Sequence, residues 1–119
     1  MILAAMTLLV GLVAAPADVT DKWDGKLTFE RDGTFRQEPA LLLLAQKGTT
    51  ITGTVGEDES DRHPITSGTI DGDKVVLVAK NASNGREYHI ELTLTGDELK
   101  GTVSSGDNKV QLEARRRKE

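Results

Sequence analysis

The sequence predicts an all-β chain, an eight-stranded antiparallel up-and-down barrel preceded by a signal peptide, and three observations carry that expectation. After Asp18 apolar and polar residues alternate with period two in short runs. Turn pairs such as Asp32-Gly33, Gly72-Asp73 and Gly96-Asp97 separate the runs at the spacing of about 8 to 12 residues typical of sandwiches and barrels. No segment carries apolar residues at a helical period that also leaves a polar face. A β-sandwich is the alternative architecture.

Residues 2–17 come first and stand apart. They carry no charge, are mostly Leu, Ala, Val, Ile and Met, and end in Ala15-Pro16-Ala17. Small residues at Ala15 and Ala17 suit a signal peptidase, so the expected cut follows Ala17 and the stretch is too short to span a bilayer comfortably. No Lys or Arg precedes the apolar run, which suggests that the true start lies upstream. The expected division is a signal peptide at 1–17 and one β domain at 18–119, secreted or periplasmic in a bacterium, with no membrane span after cleavage.

In the first strand Trp23, Gly25, Leu27 and Phe29 share one face, and Arg31-Asp32-Gly33-Thr34 turns the chain. Strand two is expected over residues 41–46 and strand three over 49–55, joined at Lys47-Gly48 in a tight hairpin. Residues 56–64 (GEDESDRHP) form the longest polar interruption and read as a loop. Strand four covers 65–70, and Asp71-Gly72-Asp73 leads into strand five, 74–80. After a turn at 81–85, Tyr88, Ile90, Leu92 and Leu94 alternate with Glu87, His89, Glu91 and Thr93 in strand six. Turns at Gly96-Asp97 and residues 105–108 bracket strand seven, and strand eight runs from Lys109 to about Arg116.

Glycine recurs inside these strands, in Ile51-Thr52-Gly53-Thr54-Val55, Thr66-Ser67-Gly68-Thr69-Ile70 and Leu99-Lys100-Gly101-Thr102-Val103. A strand glycine is a weakness unless the chain bends or another group needs the space, and a narrow barrel requires both. Each connection also permits nearest-neighbour pairing, and closure removes the exposed edges. Two strands, residues 41–44 (LLLL) and 75–79 (VVLVA), are apolar on both faces, which points to cover from another segment or to a homodimer.

Composition excludes several classes of function. The 15 Lys and Arg against 19 Asp and Glu give a net charge of −4, which makes nucleic acid an unsuitable partner. With no cysteine there is no disulfide, thiol nucleophile or thiolate metal site. Aromatic residues make up 3% of the chain, too few for stacking platforms.

Chemistry-bearing residues are sparse. His63 stands near Asp58, Glu59, Ser60 and Asp61, a set that superficially offers base, hydroxyl and carboxylate. Residues adjacent in one loop rarely aim at one reacting atom with an oxyanion hole, so no catalytic residue is assigned and a hydrolase is the lesser reading. The same carboxylates lack calcium-loop spacing. His89 shares a face with Glu87 and Glu91, but same-face strand residues lie about 7 Å apart and diverge, so no metal and no cofactor is expected. The terminal Arg115-Arg116-Arg117-Lys118 reads as a solvated end whose first residues are structural.

In a closed barrel strand eight pairs with strand one, bringing its end beside Trp23. Alternation from Val110, Leu112 and Ala114 turns Arg116 inward, with Arg115 the alternative if the register slips by one.

Five segments carry a resemblance: Trp23-Asp24-Gly25-Lys26, residues 51–55, residues 67–73, residues 94–103, and Leu112-Glu113-Ala114-Arg115-Arg116. Through them the chain resembles the lipocalin and avidin group of meander barrels, and small secreted bacterial domains of that kind, whose barrels imply no particular activity. The resemblance implies an arginine closing one end over the first-strand tryptophan. It departs from lipocalins in placing Asp21 where they carry glycine, and from avidins in having Trp23 as its only tryptophan, so biotin is not carried over. The expected function is an exported, non-catalytic binding module for a small apolar ligand or a protein partner, with Leu27, Phe29 and Tyr88 lining the space beneath the mouth. A structural or interaction domain with a filled barrel is the alternative.

Overall fold

The alternating strands close on one another in a computed structural model that describes residues 18–117. Residues 1–17, read above as a signal peptide, lie outside the described residues, as does Lys118. The eight strands are β1 (Asp21–Arg31), β2 (Thr34–Lys47), β3 (Thr50–Asp58), β4 (Asp61–Asp71), β5 (Lys74–Lys80), β6 (Glu87–Thr95), β7 (Glu98–Ser105) and β8 (Asn108–Arg116). Each pairs antiparallel with its sequence neighbour, and β8 returns to β1, so the sheet is a closed up-and-down barrel and not a sandwich. Closure pairs the first strand with the last, over Trp23–Thr28 and Gln111–Arg116, and so covers the two edges that an open sheet would expose.

Register follows the side-chain alternation. Trp23 is opposite Leu42 on β2 and Arg116 on β8, and Leu27 is opposite Leu112. Apolar residues from all eight strands therefore converge on one core, in which Trp23, Leu42, Ile51, Leu77 and Leu99 are almost wholly buried.

Two strand limits differ from the sequence reading. β2 begins at Thr34 instead of Leu41, because its polar first half pairs residue by residue with the end of β1. The expected loop at 56–64 is largely strand, with β3 reaching Asp58 and β4 starting at Asp61. Polar residues remain strand there because the hairpin stands free in water, and its tip is tied by one carboxylate. Asp58 Oδ1 accepts from the Ser60 amide (2.9 Å), the Ser60 hydroxyl (2.8 Å) and the Asp61 amide (3.0 Å). These hydrogen bonds favour the ionised form and hold the Asp58 carboxyl below its ordinary value. Pro64, which cannot donate to a ladder, sits opposite Thr54 beside a register shift.

The strand glycines answer to backbone crowding. A Cβ placed on Gly101 would overlap the Glu91 carbonyl of β6, and one on Gly68 would overlap the Ile51 carbonyl of β3. The space they save is needed by the neighbouring strand itself, where the small barrel coils most tightly.

Of the strands read as apolar on both faces, β5 leaves Val76 46% exposed on the outside. On β2, Leu41 is 5% exposed although alternation places it outside, opposite Asp24.

Candidate functional site

The two ends of the barrel are built differently, and the difference begins at Trp23. Its indole is fully buried and its Nε1–H donates to the Val19 carbonyl at 3.0 Å. Val19, also fully buried, donates its amide to Gln46 Oε1 at 2.9 Å, so the segment before β1 plugs this end. Arg116 points inward with its guanidinium carbon 4.5 Å from the centre of the indole ring. The same guanidinium reaches Asp97 (3.1 Å), Asp21 (3.4 Å) and the Asp18 carbonyl (3.0 Å). Arg115 points outward and pairs with Glu98 at 2.6 Å. Between the two arginines that the alternation left open, Arg116 is therefore the one over the ring.

Arg117 ties the last turn outside the barrel, donating to both Asp24 oxygens at 2.9 and 2.6 Å. The hydrogen bond from Arg117 holds the Asp24 carboxyl below its ordinary value. A carboxylate with a lowered folded value contributes stability that is present above its unfolded value, near pH 4, and is lost as pH falls through the folded one. Asp24→Asn is accordingly expected to lower the melting temperature modestly at pH 7 and scarcely at pH 2.5. Thermal unfolding of both proteins at the two pH values checks this, and a difference that persists undiminished in acid would contradict it.

The opposite end is open. Residues of β1, β2, β3, β4, β6, β7 and β8 form the wall of a cavity of about 900 Å³, which opens between the β1–β2, β3–β4 and β5–β6 turns and the start of β8. Its depth is apolar, with Leu27, Ala40, Leu42, Val55, Ile90 and Leu112 among the lining residues. Phe29 and Tyr88 line it nearer the mouth, so Leu27, Phe29 and Tyr88 all face this one space.

The mouth carries charges of both signs. Arg31, Arg36, Arg86 and Lys109 line it together with Glu30, Asp32, Glu57 and Asp61. Arg36 lies with its guanidinium carbon 5.5 Å from the centre of the Phe29 ring and 3.1 Å from Glu38. His63 is the one histidine in the wall; its Nε2 is 3.5 Å from Asp61 Oδ1 and its ring centre 6.0 Å from that of Tyr88. The Ser60 hydroxyl is turned to Asp58 and not to this imidazole. His89 stands on the outer surface beside Glu87 at 3.9 Å. Among the described residues no three His, Asp or Glu side chains are grouped to hold a metal ion.

Arg36 and His63 were not singled out from sequence as cavity residues, because one precedes the expected strand two and the other falls in the expected loop. The signal was the alternation carried two or three steps further: Leu42, Ala40, Glu38, Arg36 along β2, and Ile65, His63, Asp61 along β4. Val19 was missed because a single apolar residue before a strand has no periodicity.

No protein-family model matches the chain, and no curated protein matches it. Its fold is shared by solved structures. One is the crystal structure of a mutant of the fluorescent protein UnaG, with a TM-score of 0.52 and 16% sequence identity over 85% of this chain and 97% of that one. Another is a secretary abundant heat soluble protein from Ramazzottius varieornatus, from a dimer sample, with a TM-score of 0.50 and 13% identity over 87% of this chain and 98% of that one. At such identities the likeness is one of fold, a lipocalin-like barrel.

Proposed function

We propose that this protein is an exported, non-catalytic binding module that takes a small, mainly apolar molecule into the open half of its barrel. The cavity of about 900 Å³ carries this reading, since it falls in the range of about 300 to 1,000 Å³ usual for small-molecule sites and pairs an apolar depth with polar groups at the mouth. A barrel of eight strands can also fill itself with side chains, but here filling stops at the layer of Trp23, Leu42 and Leu77. That favours a ligand over a filled interaction domain.

Export rests on the uncharged, apolar residues 2–17 and the Ala15-Pro16-Ala17 junction. Intact mass of protein from a bacterial periplasm or medium is expected to begin at Asp18, and a full-length mass would count against it. Self-association through the outer face of β5 belongs to the same proposal, on the exposure of Val76.

The binding test uses N-phenyl-1-naphthylamine, an uncharged apolar fluorophore. Saturable fluorescence enhancement at one probe per chain is expected. Val103→Trp, which places an indole in the cavity wall, should weaken it at least about tenfold, a difference of about 1.4 kcal/mol, with circular dichroism unchanged. Equal binding by wild type and this folded variant would move the probe, and the proposal, out of the barrel.

A further inference from the structure

The mouth of the cavity sets Arg31, Arg36, Arg86 and Lys109 among Glu30, Asp32, Glu57 and Asp61, with Glu38 next inward on β2 and paired to Arg36 at 3.1 Å. His63 stands apart from these lining groups, since imidazole is the side chain that ordinarily changes charge between about pH 5 and 8. We propose that His63 tunes the charge preference of the cavity, its protonation shifting that preference toward an amphiphile with an anionic end. This rests on the ligand-binding reading above.

The surroundings of His63 suit that role. Its side chain is 20% exposed, withdrawn from bulk water yet on the path into the barrel. On its own strand the Asp61 carboxylate lies 3.5 Å from the imidazole. From β3 the next inward group is Glu57, from β6 and the turn before it Tyr88 and Arg86, and β5 between them presents only Ala79 inward. Across the mouth stand Glu30, Arg31 and Asp32 of the first hairpin, Arg36 and its partner Glu38 of β2, and Lys109 of β8, none of which ordinarily titrates between pH 5 and 8. A charge gained at His63 in a partly dehydrated wall therefore acts on a bound ligand with little screening. An anion is attracted, and an uncharged molecule of the same body is not.

Two fluorophores that differ by one sulfonate test this: 1-anilinonaphthalene-8-sulfonate and uncharged N-phenyl-1-naphthylamine, each titrated into the protein from pH 8 to pH 5. The ratio of anionic to neutral affinity is expected to rise about three- to tenfold on acidification, as one added charge at this range would give. His63→Gln should flatten the ratio, whereas His89→Gln, altered on the outer surface, should leave it rising. His63→Lys, which fixes a positive charge at that position, should hold the ratio high at every pH, which provides a second reading if His63→Gln folds poorly. Neutral-probe binding with a flat wild-type ratio, or a rise that His63→Gln preserves, would overturn the role of His63 and leave the cavity standing. Failure of both probes to bind at any pH would overturn the cavity reading and this inference together.

Discussion

Trp23→Ala is expected to destabilise the protein by about 3 to 5 kcal/mol, the usual cost of emptying a large aromatic site in a core. For a domain of this size that lowers the melting temperature by roughly 12 °C or more. The loss is concentrated because three features depend on one ring. Trp23 is fully buried at the layer where β1, β2 and β8 meet. Its Nε1–H satisfies the carbonyl of the buried Val19, and its face carries the Arg116 guanidinium. Truncation leaves a cavity, an orphaned carbonyl and an arginine without its platform, a contact worth about 1 kcal/mol where partly exposed. Trp23→Phe, which keeps a ring but not the donor, should cost markedly less. Thermal and denaturant unfolding would check both, and a loss below about 1 kcal/mol for the alanine variant would contradict the closure described.

Gly101→Val is expected to produce the second large effect, a destabilisation of at least about 1 to 3 kcal/mol, the range for forcing extra atoms into a packed site. The argument concerns backbone. The first added carbon already overlaps the Glu91 carbonyl and crowds the Leu92 Cα, and main chain in a closed barrel cannot swing aside as a side-chain tip can. Gly101→Ala should therefore be harmful too, against the general strand preference for residues other than glycine. Thr102→Val, at the next position on β7 and the opposite face, isolates propensity from crowding and should be nearly neutral. An unchanged or raised melting temperature for Gly101→Val would refute the close approach of β6 and β7.

The alternation of single strands was the legible part of the architecture. Period two in β1, β6 and β8 assigned Trp23, Ile90 and Leu112 to the apolar faces of their strands without any knowledge of partners, because successive strand side chains must point to opposite sides. Short turns between all runs then implied nearest-neighbour pairing, and the need to cover strand edges implied closure.

Where polarity and hydropathy parted company, the sequence misled. Residues 35–40 fall in no strand of the sequence reading and the polar interruption at 56–64 reads as a loop, since composition alone cannot distinguish a solvated hairpin from an irregular connection. Only their partners decide, and those are β1 for the first and the two halves of the hairpin for the second. With those hairpins extended, Arg36 and His63 turn inward and become part of the cavity wall.

The chain by itself determined which residues share a face, because that depends on local backbone geometry repeated every two residues. Tertiary structure alone decided that the core stops halfway up the barrel and leaves about 900 Å³ open, because a void is set by how side chains from eight strands meet at each level. It likewise decided why the glycines are there. Their space is taken by carbonyls some ten or more residues distant in sequence, Leu43 against Gly53 and Glu91 against Gly101, and such crowding exists only once the strands are side by side.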